Sequence, residues 1–140
     1  MFWDSSAIVP LILPERRSAT LTEALAAERE LTIWWGSPVE CLAAIHRRHR
    51  ELPLPADALK SALERLRAIG EDADTIGAIE DVRRRAGRLV ATHPLRAADA
   101  LQLAAALAWC EDEPAGETFA CLDERLRAAA GREGFTLLPA

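Results

Sequence analysis

The chain has 140 residues, of which 50% are hydrophobic and 28% are charged, and its formal net charge is −5. This composition predicts one folded domain spanning 1–140 and argues against a disordered protein. The longest apolar segment, around 97–109, is too short to span a bilayer, and because Asp4 interrupts the apolar N-terminus we expect no secretory signal. The negative charge gives no general attraction for a polyanion, although a bound divalent cation would change the local field.

The N-terminal part of the chain predicts a strand followed by two helices. Residues 1–4 are mostly apolar and predict a short strand. Ser5 opens a brief helix that Pro10 and Pro14 bound or kink. A helical pattern of apolar residues then covers 15–30.

The next segment predicts a buried strand that leads directly into a helix. Residues 31–35 form a continuous apolar run, which is typical of a strand covered on both faces. Ser37 is expected as the helix cap and Pro38 as the first helical residue. This helix is expected to end near Glu51.

The middle of the chain is mainly helical. Residues 58–69 predict a helix that Gly70 closes. The acidic stretch 71–77 predicts a loop with a strand fragment, and 80–90 predicts another helix, which the His93-Pro94 pair stops.

The C-terminal part returns to alternating elements. Residues 95–109 predict a helix, 111–116 a loop, 117–122 a strand, 123–131 a helix and 135–138 a final strand. Alternation of apolar strands with helices predicts an α/β fold with three layers, in which helices cover a central parallel sheet of four to five strands.

Four acidic residues follow apolar segments or interrupt them: Asp4, Glu40, Asp99 and Asp123. We expect them at strand ends and on buried helix faces, where an ionised carboxylate is costly unless it is paired or binds a metal. Ligands of parallel sheets gather beyond the carboxyl ends of the strands, so the four acids predict one pocket. Oxygen ligands without histidine or thiolate favour Mg²⁺ or Mn²⁺.

Each acid also has a simpler explanation when it is considered alone. Asp4, Glu40 and Asp123 could cap a helix or interact with its dipole. Asp99, expected in mid-helix, could pair with Arg96 three residues earlier. Only the conjunction of all four favours a metal site, and its chemistry would be metal-assisted hydrolysis of a phosphate ester.

Four segments of the chain resemble the signature regions of PIN-domain ribonucleases, most closely those of the VapC type, the toxins of bacterial toxin–antitoxin pairs. The segments are Asp4-Ser5-Ser6-Ala7, 35–41, 95–104 and 119–126. They occur in the family's order and extend over nearly the whole chain. The block Arg96-Ala97-Ala98-Asp99-Ala100-Leu101 is the most specific part.

This resemblance implies a PIN-like fold and a cytoplasmic Mg²⁺- or Mn²⁺-dependent endoribonuclease, in which a metal-activated water hydrolyses RNA phosphodiester bonds. It also implies a homodimer that a small antitoxin inhibits. The implied catalytic, metal-coordinating acids are Asp4, Glu40, Asp99 and Asp123. Ser6 is implied as a hydrogen-bonding neighbour of the site. Cys121 departs from the threonine or serine that is frequent in the family, which places a supporting hydrogen bond in question.

Several basic and aromatic residues allow two interpretations. Arg96 would contact an RNA phosphate or an antitoxin carboxylate, or else pair with a nearby acid. The basic segment 46–50 and the arginines of 83–85 could follow RNA, but a solvated helix face is favoured. Packing is favoured over base stacking for Trp34 and Trp35.

Two other classes of protein compete with a nuclease. One is a non-catalytic PIN-like binding module. The other is a phosphoacceptor signalling domain, which the position of Lys60 in a helix disfavours because that chemistry needs a lysine at a strand end. Three widely spaced cysteines without a C-x-x-C pair argue against a disulfide framework and indicate a reducing cytosol.

Overall fold

The computed structural model describes residues 1–13, 18–27 and 30–140. The strands are β1 (Phe2–Trp3), β2 (Thr32–Trp34), β3 (Asp74–Ile76), β4 (Thr118–Ala120) and β5 (Thr136–Leu138). The helices of this described part are α1 (Ser5–Ile12), α2 (Ser18–Ala27), α3 (Ser37–Glu51), α4 (Ala56–Asp72), α5 (Glu80–Thr92), α6 (Ala97–Trp109) and α7 (Glu124–Glu133). None of these helices has the length and apolar character needed to cross a bilayer.

The five strands form one parallel sheet in the order β3-β2-β1-β4-β5. Strand β1 is central, with Phe2 aligned to Thr32 on one side and to Phe119 on the other. The chain builds outward from β1 to β2 and β3, and then crosses to β4 and β5. The order therefore reverses between β1 and β4, which is where parallel sheets place their ligands.

The side chains of the two residues of β1 pack on opposite faces of the sheet. Phe2 belongs to a core with Phe119 and the buried faces of α5, α6 and α7. Trp3 belongs to a second core with Ile33 and residues of α1, α3 and α4. Because successive strand side chains point to opposite faces, this partition places helices on both sides of the sheet. The predicted three-layer α/β fold with a parallel sheet is confirmed.

Several predicted boundaries were wrong. Gly70 lies inside α4, which continues to Asp72. The cap of α3 is Gly36, and Ser37 is already helical, with its side chain buried and bonded to Gln102. Pro10 lies inside α1, beyond its first turn, so of the two expected effects it does not bound the helix.

Other predicted elements agree with the structure or fall partly outside its described residues. The predicted helix 15–30 corresponds to α2, but Pro14 and positions 15–17, 28 and 29 are outside the described residues. The strand fragment predicted in 71–77 is β3, an edge strand with exposed residues. Strand β2 ends at Trp34, one residue earlier than predicted.

Candidate acidic active site

Asp4 follows β1 directly and is the N-cap of α1. Its Oδ2 accepts hydrogen bonds from the backbone N–H of Ser6 at 2.9 Å and from the Ser6 hydroxyl. The residue is only 3% exposed, and none of the described arginines or lysines forms an ion pair with it. Burial, with a smaller contribution from the charge of Glu40, raises the pKa of Asp4 to about 6.

Glu40 lies in the first turn of α3, at the same edge of the sheet. Its Oε2 accepts hydrogen bonds from the Ser5 hydroxyl at 2.7 Å and from Nε2 of Gln102 at 3.0 Å. Ser5, which donates to Glu40, is the residue that directly follows Asp4, so the two carboxyl groups are neighbours at this edge. The structure therefore brings together two of the four predicted acids, without a basic partner among the described residues.

Asp123 and Asp99 occupy helix starts near this pair. Asp123 is exposed, contrary to the expected burial, and its Oδ1 caps α7 by accepting from the N–H of Leu126 at 2.9 Å. Asp99 is in the first turn of α6, not in mid-helix, and its Oδ2 accepts from the backbone N–H of Arg96 at 3.2 Å. Aspartate is favoured at both positions because the helix N-terminus carries partial positive charge.

Ser6 connects Asp4 to the segment that precedes α7. Its hydroxyl oxygen accepts from the backbone N–H of Leu122 at 2.8 Å and from that of Asp123 at 3.3 Å. The Cys121 thiol lies 3.5 Å from Oδ2 of Asp4 and 3.6 Å from the carbonyl oxygen of Asp123. A weak thiol donor thus fills the position where a hydroxyl was expected, and burial raises the pKa of Cys121.

A divalent cation fits the chemistry of the Asp4–Glu40 pair. Both residues offer oxygen ligands, and the buried charge of Asp4 has no neutralising arginine or lysine in the described structure. Nevertheless, no three His, Cys, Asp or Glu side chains of residues 1–13, 18–27 and 30–140 converge as a ready ligand set. A role for Asp99 and Asp123 as direct ligands stays a prediction.

A groove of about 510 Å³ lies beside Glu40 and the two residues that follow Asp4. Its walls come from α1, α3, the start of α6 and the segment after β4, and it is lined by Ser5, Ser6, Val9, Pro10, Glu40, Ala43, Ala44, Arg47, Ala98 and Leu122. Small alanines leave the groove open, while Glu40 and the exposed Arg47 give it charges of both signs. Ala98 and Leu122 are the sequence neighbours of Asp99 and Asp123, so the groove passes all four acid-bearing segments.

The other basic and aromatic residues differ in their exposure and in their contacts. Arg96 is exposed and pairs with no described acid, so its role as a phosphate or carboxylate contact stays a prediction. The three arginines of 83–85 pair with acids. Arg83 and Arg84 are exposed, as expected for a solvated face, whereas the side chain of Arg85 is largely covered. Trp34 is buried as predicted, whereas Trp35 is 62% exposed. The described cysteines are all free thiols.

Sequence reasoning missed the side chains that hold Glu40. Gln102 bridges Glu40 and the buried Ser37. Ser5 was noted only as the opening of a helix, yet its hydroxyl donates to Glu40. The available signal was a lone glutamine three residues after Asp99 in an otherwise alanine- and leucine-rich helix.

The structure thus defines an open parallel α/β sandwich with an acidic pair where the strand order reverses. No protein-family model matches the chain, and no curated protein sequence matches it. Among solved structures, the chain is similar to VapC20 of Mycobacterium tuberculosis, which is described as a sarcin-ricin loop cleaving toxin. The two structures superpose with a TM-score of 0.65 at 17% identity, and the match covers 96% of this chain and 95% of that one.

A toxin–antitoxin complex from Klebsiella pneumoniae is also similar, with a TM-score of 0.62, 16% identity, and coverage of 89% of this chain and 88% of that one. At these identities the comparisons establish the fold. The PIN-like fold that the sequence motifs implied is confirmed.

Proposed function

We propose that this protein is the toxin of a toxin–antitoxin pair and acts as an Mg²⁺- or Mn²⁺-dependent endoribonuclease in the cytoplasm. The observation that carries the proposal is the Asp4–Glu40 pair at the edge where the strand order reverses, which has no basic partner among the described residues. Glu40 also lines an open groove. The similarity to solved toxins over nearly the whole chain supports it.

In this proposal Asp4 and Glu40 hold the cation, and Asp99 and Asp123 supply further carboxylate oxygens from the same edge. When bound, the cation would activate a water molecule and offset charge on the phosphodiester. The hydroxyl and backbone N–H of Ser6 hold Oδ2 of Asp4 in place. Arg47, in the groove wall, and the exposed Arg96 would contact phosphates of the RNA.

The proposed partners follow from the same assignment. A small antitoxin would occupy the groove and offer carboxylates to Arg47 or Arg96, and the active form would be a homodimer. RNA recognition by shape and by contacts to unpaired bases is consistent with the limited basic surface of a chain with net charge −5.

The test is RNA cleavage by the purified, antitoxin-free protein. We expect cleavage with Mg²⁺ or Mn²⁺ and none with EDTA. Asp4→Asn and Asp99→Asn should each lower the rate by at least 100-fold, whereas Asp57→Asn, an exposed acid at the start of α4, should cut like the wild type. Wild-type rates for both site variants would refute the assignment.

A non-catalytic binding module is the second candidate, because the described residues do not present a ready set of three metal ligands. Calorimetric titration with Mn²⁺ separates the two candidates, since a non-catalytic module would show no saturable binding that Asp4→Asn removes. The phosphoacceptor alternative has no structural support, because Lys60 is an exposed residue of α4 that pairs with Glu64.

A further inference from the structure

Gln102 is a polar residue in a buried part of α6. It is 1% exposed, and its neighbours Leu103 and Ala104 are fully buried. Burying an amide without partners is costly, so its contacts are informative. Nε2 lies 3.0 Å from Oε2 of Glu40 and 3.0 Å from Oγ of Ser37, while Oε1 lies 3.2 Å from the same Ser37 oxygen.

These contacts fix which end of the amide faces the acid. Only Nε2 can donate to the Glu40 carboxylate, and the Ser37 hydroxyl holds the amide from the other side. Gln102 therefore presents a donor to Glu40 from α6. Ser5 presents a second donor to the same oxygen from α1, at 2.7 Å.

The two donors act on one oxygen of Glu40 only. Among the described residues, none donates a hydrogen bond to Oε1, and Glu40 borders the groove. One carboxylate oxygen is therefore held by protein, which fixes the plane of the group, and the other is left to an occupant of the groove. Neighbours that orient a metal ligand commonly have this arrangement.

We infer that Gln102 is a positioning residue for Glu40, which it holds, together with Ser5, in the orientation that binds the divalent cation. This inference rests on the proposed function, because it concerns the same site. A packing role alone would be met by an apolar side chain of similar volume, as at Leu103, and would not require a donor aimed at Glu40.

The experiment measures Mn²⁺ binding to the metal-free, full-length chain by calorimetry. Gln102→Met keeps the volume and removes the donor, and we expect the dissociation constant for Mn²⁺ to rise about 10- to 100-fold. Ser5→Ala removes the second donor without altering a buried core residue, and we expect a rise in the same direction. Leu103→Met, on the same helix, is the matched control and should bind Mn²⁺ like the wild type.

Each outcome decides between the alternatives. If the wild type binds Mn²⁺ and both Gln102→Met and Ser5→Ala bind it equally well, the positioning role is refuted while the proposed function survives. If Gln102→Met does not fold, Gln102→Leu, which also removes the donor, is measured in its place. If the wild type shows no saturable binding, the proposed function and this inference both fail.

Discussion

Asp4 is held in a conformation that disfavours its own ionisation. Burial raises its pKa to about 6, against an ordinary value of 3.8, while the two hydrogen bonds from Ser6 oppose that shift. A carboxyl group that is more readily protonated in the folded chain than in the unfolded one destabilises the fold at neutral pH. In the metal-free protein, the residue proposed for metal binding therefore costs stability.

We predict that Asp4→Asn stabilises the metal-free protein at pH 8. As the pH rises from about 4 through 6, the free energy of unfolding of the wild type falls by up to about 3 kcal/mol, because Asp4 ionises less readily in the folded chain than in the unfolded one. The asparagine side chain does not ionise, so the variant has no such loss. Urea unfolding in EDTA at pH 4.5 and at pH 8 measures the effect. The variant's advantage should grow with pH, and an advantage independent of pH would contradict the explanation.

At the level of single elements, Gly36 caps α3 and lies directly against Trp34. A Cβ atom at Gly36 would be 2.5 Å from Nε1 of Trp34, a buried ring that packs edge-on against Trp35. The backbone here is ordinary for any residue, with φ of −79°. Close approach, not backbone conformation, is the reason for glycine at the start of the helix that carries Glu40.

Gly36→Ala is therefore expected to destabilise the protein by about 1–3 kcal/mol, because the Trp34 ring must move. The matched control is Gly87→Ala in α5, where a Cβ atom meets nothing within 4 Å. That change should stabilise by about 0.5–1 kcal/mol, because alanine is the better helix former. Urea unfolding of both variants measures the difference, and equal effects would show that the contact with Trp34 is unimportant.

Helices α5 and α7 are joined by a cluster around Glu133. Arg88 donates to both Glu133 oxygens, at 3.1 and 2.8 Å, and Nε2 of the buried His93 lies 2.6 Å from Oε1. The hydrogen bonds from Arg88 hold the pKa of Glu133 below its ordinary value of 4.5. The stabilisation is thus present above about pH 4.5 and is lost as the pH falls through the lower, folded-state pKa.

Glu133→Gln should lower the free energy of unfolding by about 1–3 kcal/mol at pH 7. The difference from the wild type should shrink as the pH falls from 4.5 through the lower folded-state pKa, because the wild-type carboxylate becomes protonated over that range. Thermal unfolding at pH 7 and pH 3.5 measures this. Glu71→Gln, in an exposed pair with Arg67, is the control and should change stability by less than about 0.5 kcal/mol.

For the whole molecule, cation binding and folding are expected to be linked. If only the folded state binds Mn²⁺, a concentration of 100 times the dissociation constant raises the free energy of unfolding by about 2.7 kcal/mol. For a chain of this size, that corresponds to an increase of roughly 10 °C in Tm. We expect this increase in the wild type and its loss in Glu40→Gln. Glu64→Gln, exposed on α4, should keep it. An equal increase in Glu40→Gln would place the cation elsewhere.

Most of the fold was predictable because apolar runs mark β1, β2, β4 and the intervening helices. Strand β3 was recognised only as a fragment because it is a short edge strand with two exposed residues and no apolar alternation. Gly70 was misread as a helix end because its interior position depends on the packing of α4. Helix boundaries of this kind are decided by tertiary contacts that local sequence does not contain.

The candidate site was predictable to a lesser degree. Asp4 and Glu40 follow from their places after a strand and at a helix start, and the structure brings them together. Asp99 was predicted in mid-helix because the helix was expected to begin at residue 95. In the structure α6 begins at Ala97, which places Asp99 in its first turn. Gln102 could not have been paired with Glu40, since 62 residues separate them and only the packing of α6 against α3 brings them into contact.

One oxygen of Asp4 caps the first turn of α1, and the other has no described hydrogen-bond partner. A cation that draws electron density from this carboxylate would weaken it as an acceptor for the amide of Ser6. Binding of a cation to Asp4 and Glu40 would then speed deuterium uptake at the backbone amide of Ser6.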